Sequence, residues 1–193
     1  MRDVYEIIKG RRSIRKYKGD MVAKELILKL LDAANWAPSG MNEQSWEFIV
    51  VTGNKLDELR LICQQVINMR LPAEAERTEQ QKAFAHWYST LGGAPVAILQ
   101  CCPKESDPGR RKMVLESMAA SFQNLHLAAA AEGLGTCWMT GPLAKQDSIH
   151  ALLGIPDSKE LVAVTPLGYP NETPPATPRQ DETLSTKVIF IGF

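Results

Sequence analysis

The run from Met113 to Glu132 constrains this chain more than any other segment, because Ala at 119, 120, 128, 129, 130 and 131 makes it a strong helix former. Twenty residues of α-helix span about 30 Å, the width of a small domain. In a chain of 193 residues such a helix has to run through the middle. Its small side chains suit close packing against other backbone, and Gly133 supplies the stop.

Around this rod the sequence alternates helical and extended signals. Asp3 to Lys9 reads as a short helix with an acidic N-cap, and Val22 to Ala34 as an amphipathic one with Leu26, Ile27, Leu30, Leu31 and Ala34 on the buried side. Pro38, Ser39 and Gly40 break the chain before Trp46 to Thr52, a short β-branched and aromatic run expected to be a buried strand. Helical patterning returns from Lys55 to Met69, and residues 72 to 92 read as an irregular, partly helical excursion. Pro95 to Cys101 is a second strand, Pro103 to Gly109 a loop rich in breakers, Lys145 to Leu153 a helix, and Glu160 to Leu167 a third strand. The tail from Asn171 holds Pro174, Pro175 and Pro178 and is expected to run extended before the strand-like KVIFIGF at residues 187 to 193. That last strand needs a partner, in its own chain or in a second copy. The length fits one domain over residues 1–193.

Composition narrows the function classes. With 22 basic residues against 22 acidic ones, the chain lacks the long-range positive field that nucleic acid or an anionic membrane requires, so any anion site is local. No run approaches the roughly 20 apolar residues of a membrane span, and MRDVYEIIKGRR does not read as a signal peptide, which makes the cytoplasm the expected address. Cys63, Cys101, Cys102 and Cys137 show no metal or redox spacing and read as free thiols. His86, His126 and His150 lie far apart, and no metal site is expected.

Two clusters carry chemistry. Arg11, Arg12, Ser13 and Arg15 form the densest cationic group, placed where a helix ends. Guanidinium forks match phosphate oxygens, although the string alone equally fits a solvated basic turn. Within APSGMNEQSW, Pro38 and Gly40 shape the backbone while Ser39, Asn42 and Gln44 offer donors and acceptors suited to a ring edge or a polyol; a capped loop would look the same. Phe84, Trp87 and Tyr88 read either as an aromatic lid or as packing.

RRSIRKY, then APSGMNEQSW, then GLGTCWMTGP after the long helix together resemble the FMN-dependent nitroreductase family, in a short single-domain form and over essentially the whole chain. The resemblance implies an α+β fold: a central mixed or antiparallel sheet flanked by helices, the C-terminal strand extending toward a dimer partner, and FMN at the subunit interface. It further implies that Arg11, Arg12, Ser13 and Arg15 hold the phosphate and ribityl end of FMN, with Arg179 adding a cation. Pro38, Ser39, Gly40, Asn42 and Gln44 would come from the other subunit to border the ring, and Trp138, Met139, Thr140 and Gly141 would lay backbone amides against its redox edge. Amide donors placed where charge develops need no titrating side chain, so no catalytic acid or base is expected beside the flavin.

The implied activity is ping-pong transfer of hydride from NADH or NADPH to a small electron-poor acceptor such as a nitroaromatic, quinone or enone; a flavin carrier or sensor without fast turnover is the alternative. A thiol enzyme using Cys101 and Cys102 is a third reading. The stretch between the strands at 46–52 and 95–101 is short, which leaves acceptor size and nicotinamide preference open. No segment resembles the long lid of the branches that dehalogenate iodotyrosine or fragment flavin, so those activities are not expected.

Overall fold

The structure is a computed structural model and describes residues 3–192. Helices α1 (Val4–Gly10), α2 (Lys24–Asn35), α3 (Gly53–Arg70), α4 (Glu79–Thr90), α5 (Pro108–Ala131) and α6 (Gln146–Leu153) surround strands β1 (Glu47–Val51), β2 (Val96–Pro103), β3 (Gly135–Thr136) and β4 (Lys159–Gly168). The strand order is β1-β2-β4-β3, and every ladder is antiparallel. The parallel component is a single bridge between Ser13 and Thr136.

Strand β2 organises the core. Residues 96–102 are all buried, apolar apart from Gln100, whose Nε2 donates to Met118 O at 3.2 Å. Because successive side chains point to opposite faces, Ala97, Leu99 and Cys101 pack under α3, α4 and α6 with Leu59, Val66, Tyr88 and Ile149. Val96 and Ile98 pack on the other face with Leu30 of α2 and Leu125 and Ala129 of α5. The sheet is therefore sandwiched between two helical layers. The alanines at the C-terminal end of α5 let it lie close to α2.

Helix α5 starts earlier than its alanine pattern suggests. Asp107 accepts a hydrogen bond from Arg110 N at 2.7 Å and Pro108 occupies the first turn, a start signal hidden inside what reads as a breaker-rich loop. The excursion at 72–92 is likewise more regular than its sequence indicates. Helix α4 opens on a reciprocal cap in which Thr78 Oγ1 accepts from Gln81 N and Gln81 Oε1 accepts from Thr78 N.

The expected C-terminal strand is absent from residues 187–192, and Phe193 lies outside the described residues. A strand exists by its ladder, and none forms at residues 187–192 among the described residues; Ile189 and Ile191 are 85% and 87% exposed. All four cysteines are free and buried, and burial raises the Cys102 thiol to about 11, the reverse of what a reactive thiol needs. Among the described residues no helix is long and apolar enough to cross a membrane.

Phe122 is fully buried in the middle of α5. Phe122→Ala is expected to cost about 3–5 kcal/mol in urea-induced unfolding, through lost burial and an unfilled cavity.

Candidate functional site

The arginine segment leaves α1 in extended backbone and is stitched to three other parts of the chain. Ile14 N donates to Thr136 O at 2.9 Å, Tyr17 N to Gly92 O at 3.0 Å, and Lys18 N to Tyr169 O at 2.9 Å. These approaches require glycine. A Cβ on Gly135 would lie 2.8 Å from the Ile14 side chain, and one on Gly92, at φ +65°, would lie 2.2 Å from Arg15 O.

Arg11, Arg12, Ser13 and Arg15 line a cavity of about 190 Å³ together with Arg179 of the proline-rich tail. Four guanidinium groups around so small a space repel one another, and an anion relieves that repulsion. The four are not equivalent. Arg12 Nη1 donates to Lys9 O at 2.6 Å and to Arg11 O at 2.9 Å, so Arg12 is partly committed to the last carbonyls of α1. The Arg15 guanidinium stacks over Trp87 of α4, 5.2 Å from the ring centroid, which ties the cavity to the helix that the sequence left irregular.

The segment Trp138 to Gly141 begins two residues after the Thr136 joint. Met139 N donates to Val164 O at 2.8 Å and Val164 N returns a bond to Met139 O at 2.9 Å. The Met139 amide is thus taken and its side chain lies in the core. The flanking Trp138 and Thr140 amides have no acceptor among the described residues. Gly141 O accepts from Arg70 Nη2 at 3.3 Å.

Trp138 is 39% exposed, and its indole stacks on the buried His126 ring at 5.6 Å and 12°. Phe122 meets both rings edge-on at 4.8 Å. His126 Nδ1 lies 2.6 Å from Thr136 Oγ1. Burial, reinforced by the Arg11 charge, pulls the imidazole down to about 3, so the ring is neutral at working pH. The neighbouring Cys137 thiol is raised, chiefly by burial and against the opposing pull of Arg15, Ser13 and Arg11.

The third group of sequence-predicted residues lies elsewhere in the chain. Pro38, Asn42 and Gln44 border a separate surface cavity. Gly40 N donates to Ser117 Oγ at 3.0 Å, Gln44 N to Ser39 Oγ at 3.1 Å, and Gln44 Nε2 to Asn42 Oδ1 at 2.9 Å. Met41, Asn42 and Gln44 have φ of 51°, 56° and 48°. Such left-handed non-glycine residues each cost about 1–3 kcal/mol and survive where their surroundings over-determine them. Ser117 sits in the first half of α5, whereas Ala130, beside Arg11, sits near its end. Thirteen residues of helix put roughly 20 Å between the two groups. The chain therefore joins Arg11–Arg15, Arg179 and Trp138–Gly141, and holds residues 38–44 apart.

Sequence reasoning passed over Thr136, Ser117 and Glu172, and left the role of Trp87 open between lid and packing. Thr136 lay inside the GLGTCWMTG string, and Trp87 within an aromatic run of two meanings; Ser117 and Glu172 carried no local signal.

A sequence profile of the nitroreductase family matches residues 8–169. The chain belongs to the nitroreductase family. Its α+β architecture is that of the family's solved members. Among its relatives, a protein of Methanothermobacter thermautotrophicus with the provisional name NADH dehydrogenase/NAD(P)H nitroreductase is 38% identical over 89% of this chain and 80% of its own. An iodotyrosine deiodinase of Thermotoga neapolitana is 28% identical over 94% of this chain and 96% of its own. A solved oxidised iodotyrosine deiodinase bound to FMN and 3-iodo-L-tyrosine is 28% identical, with a TM-score of 0.76 over 99% of both chains. A deiodinase can thus match this chain over nearly its full length, so the lack of a long lid segment does not separate it from that branch.

The buried His126 imidazole makes a signed pH prediction. His126 is held near 3 in the fold and returns to about 6.5 when unfolded, so the unfolded state binds the extra proton between those values and stability falls as pH drops below 6.5. Between pH 7 and pH 5 the wild type is expected to lose about 2 kcal/mol more than His126→Phe in urea unfolding, at about 1.4 kcal/mol per pH unit below 6.5. Equal losses in the two proteins would contradict the assignment.

Proposed function

We propose that this nitroreductase is an FMN-dependent NAD(P)H oxidoreductase, working as a homodimer on a small electron-poor acceptor. The observation that carries the reading is the cavity walled by Arg11, Ser13, Arg15 and Arg179, one backbone bridge away from the Trp138 and Thr140 amides. The donor set fits FMN at both ends. A phosphate monoester brings close to two negative charges at neutral pH to the guanidinium forks, and a flavin ring edge requires amide donors of the kind Trp138 and Thr140 present. A family member of 28% identity is solved with FMN bound, which supports the same reading.

When bound, FMN supplies hydride transfer between a reduced nicotinamide and the acceptor. The chain's own groups act by position and polarity. Arg11 and Arg15 neutralise the phosphate, and the Thr136 joint fixes the distance from that charge to the Trp138 segment. The amides of that segment stabilise negative charge at the ring edge without moving a proton. His126 backs the exposed Trp138 indole with a neutral, buried ring, so the support behind that indole adds no charge of its own.

The dimer reading rests on the roughly 20 Å that separates residues 38–44 from the arginines along α5. A two-fold arrangement with antiparallel α5 helices sets the Ser117 end of one helix beside the Ala130 end of the other, and completes the site with the partner's loop. The strained loop is held by α5 before any partner arrives, as a preformed contact surface should be. Acceptor choice is assigned to the exposed Trp138 and the aromatic residues of α4, and nitroaromatics, quinones and iodotyrosine, the last from the name of a relative, are the panel to test.

Freshly purified protein is expected to be yellow, with one flavin per chain, and to elute with light scattering at about twice 21.4 kDa. A colourless protein that refuses added FMN, or a flavin-loaded monomer, contradicts the reading. Arg11→Ala should weaken FMN binding about 10- to 100-fold, the worth of one charge-assisted hydrogen-bond partner, when followed by flavin fluorescence.

A further inference from the structure

The tail that carries Arg179 is held in an unusual way. Residues 16–18 and 169–171 form a short ribbon: Asn171 N donates to Lys16 O at 2.9 Å, Lys18 N donates to Tyr169 O at 2.9 Å, and Tyr17 and Pro170 pair antiparallel between them. The ribbon closes on a side chain. Glu172 Oε1 accepts from the consecutive backbone amides of Arg15 and Lys16, the latter at 3.1 Å. Both are charge-assisted bonds to the segment that bears the cationic cluster.

Beyond Glu172 the chain has no comparable hold until Asp181. Residues 173–179 make no hydrogen bond among the described residues and belong to no helix or strand. Pro174, Pro175 and Pro178 fix φ near −65°, which makes this stretch a stiff extended strut of about 3.1 Å per residue. Its far end meets a turn in which Asp181 accepts from Ser185 N at 3.1 Å and Thr186 N at 2.7 Å. A stiff strut with no hydrogen bonds of its own takes its direction from its anchored end. Here it brings Pro174, Pro175, Thr177 and Arg179 to the wall of the arginine cavity.

We propose that Glu172 is the positioning residue that delivers Arg179 to the phosphate end of the cofactor site, by clamping the start of the tail onto the Arg15 and Lys16 amides. The proposal rests on the FMN reading of that cavity. An acidic side chain then governs how well a basic one works, and it does so through geometry, since its own charge opposes a phosphate. Fixing the strut before the ligand arrives lowers the ordering cost of recruiting Arg179.

The test uses the full-length protein stripped of flavin and titrated with FMN and with riboflavin, which lacks the phosphate, following flavin fluorescence. Wild type is expected to bind FMN more tightly. Glu172→Ala should weaken FMN about tenfold and leave riboflavin within about twofold, as expected for loss of one well-placed cation. Glu172→Gln keeps a carbonyl acceptor for both amides and should stay within about threefold of wild type. Arg179→Ala should match the loss in Glu172→Ala, and the double variant should be no weaker than either single by more than about twofold, because both act through one guanidinium. Additive losses in the double variant, an equal loss for riboflavin, or an unchanged FMN affinity in Glu172→Ala would overturn the clamp. A wild type that binds FMN no better than riboflavin would instead overturn the phosphate reading of the cavity, and the clamp with it.

Discussion

The bridge between Ile14 and Thr136 is the joint on which the candidate site depends. On one side it holds the arginines as they leave α1, and on the other it fixes the turn that runs into Trp138. The joint closes only because Gly135 leaves room for the Ile14 side chain. Thr136 serves it twice, through its carbonyl to Ile14 and through its hydroxyl to His126 of α5. One residue thus couples the cationic segment, the sheet edge and the central helix. A shift of any of them moves charge relative to the Trp138 amides.

The same economy shapes the larger fold. Strand β2 is buried on both faces, so both helical layers take their position from its alternating side chains. Helix α5 then does two further tasks at once. Its Phe122 and His126 brace Trp138. Its Ser117 and the Arg110 guanidinium, 3.0 Å from Glu43, hold the strained loop at residues 38–44. The long rod sets the roughly 20 Å that separate this loop from the arginine cavity.

Much of this was legible in the residues themselves. The alanine-rich helix, the apolar strands and the cationic turn each declare themselves through local pattern, because periodicity and side-chain chemistry are written along the chain. What escaped is of two kinds. Helix α4 and the start of α5 are specified by caps, Thr78 with Gln81 and Asp107 with Pro108, and single polar residues are easily read as loop when they sit among other breakers. The roles of Thr136, Ser117 and Glu172 depend on partners far away in sequence, such as Glu172 meeting Arg15 across 157 positions. No local pattern encodes such a meeting. The terminal run at residues 187–192 is the converse case, a strand signal that finds no ladder within the described residues and leaves the second-copy alternative as the remaining reading.

Burial at this site shifts these neighbours so that each stays uncharged near pH 7: the His126 ring downward, the Cys137 thiol and the Tyr17 phenol upward. None of these groups changes charge across the range in which most proteins operate. The guanidinium groups do not titrate there either. The electrostatic potential inside the arginine cavity is accordingly set by groups of constant charge, so on the proposed FMN reading acidity would act on its grip mainly through the second ionisation of the phosphate, near pH 6. A fixed-field receptor of this kind hands the pH dependence of binding over to its guest.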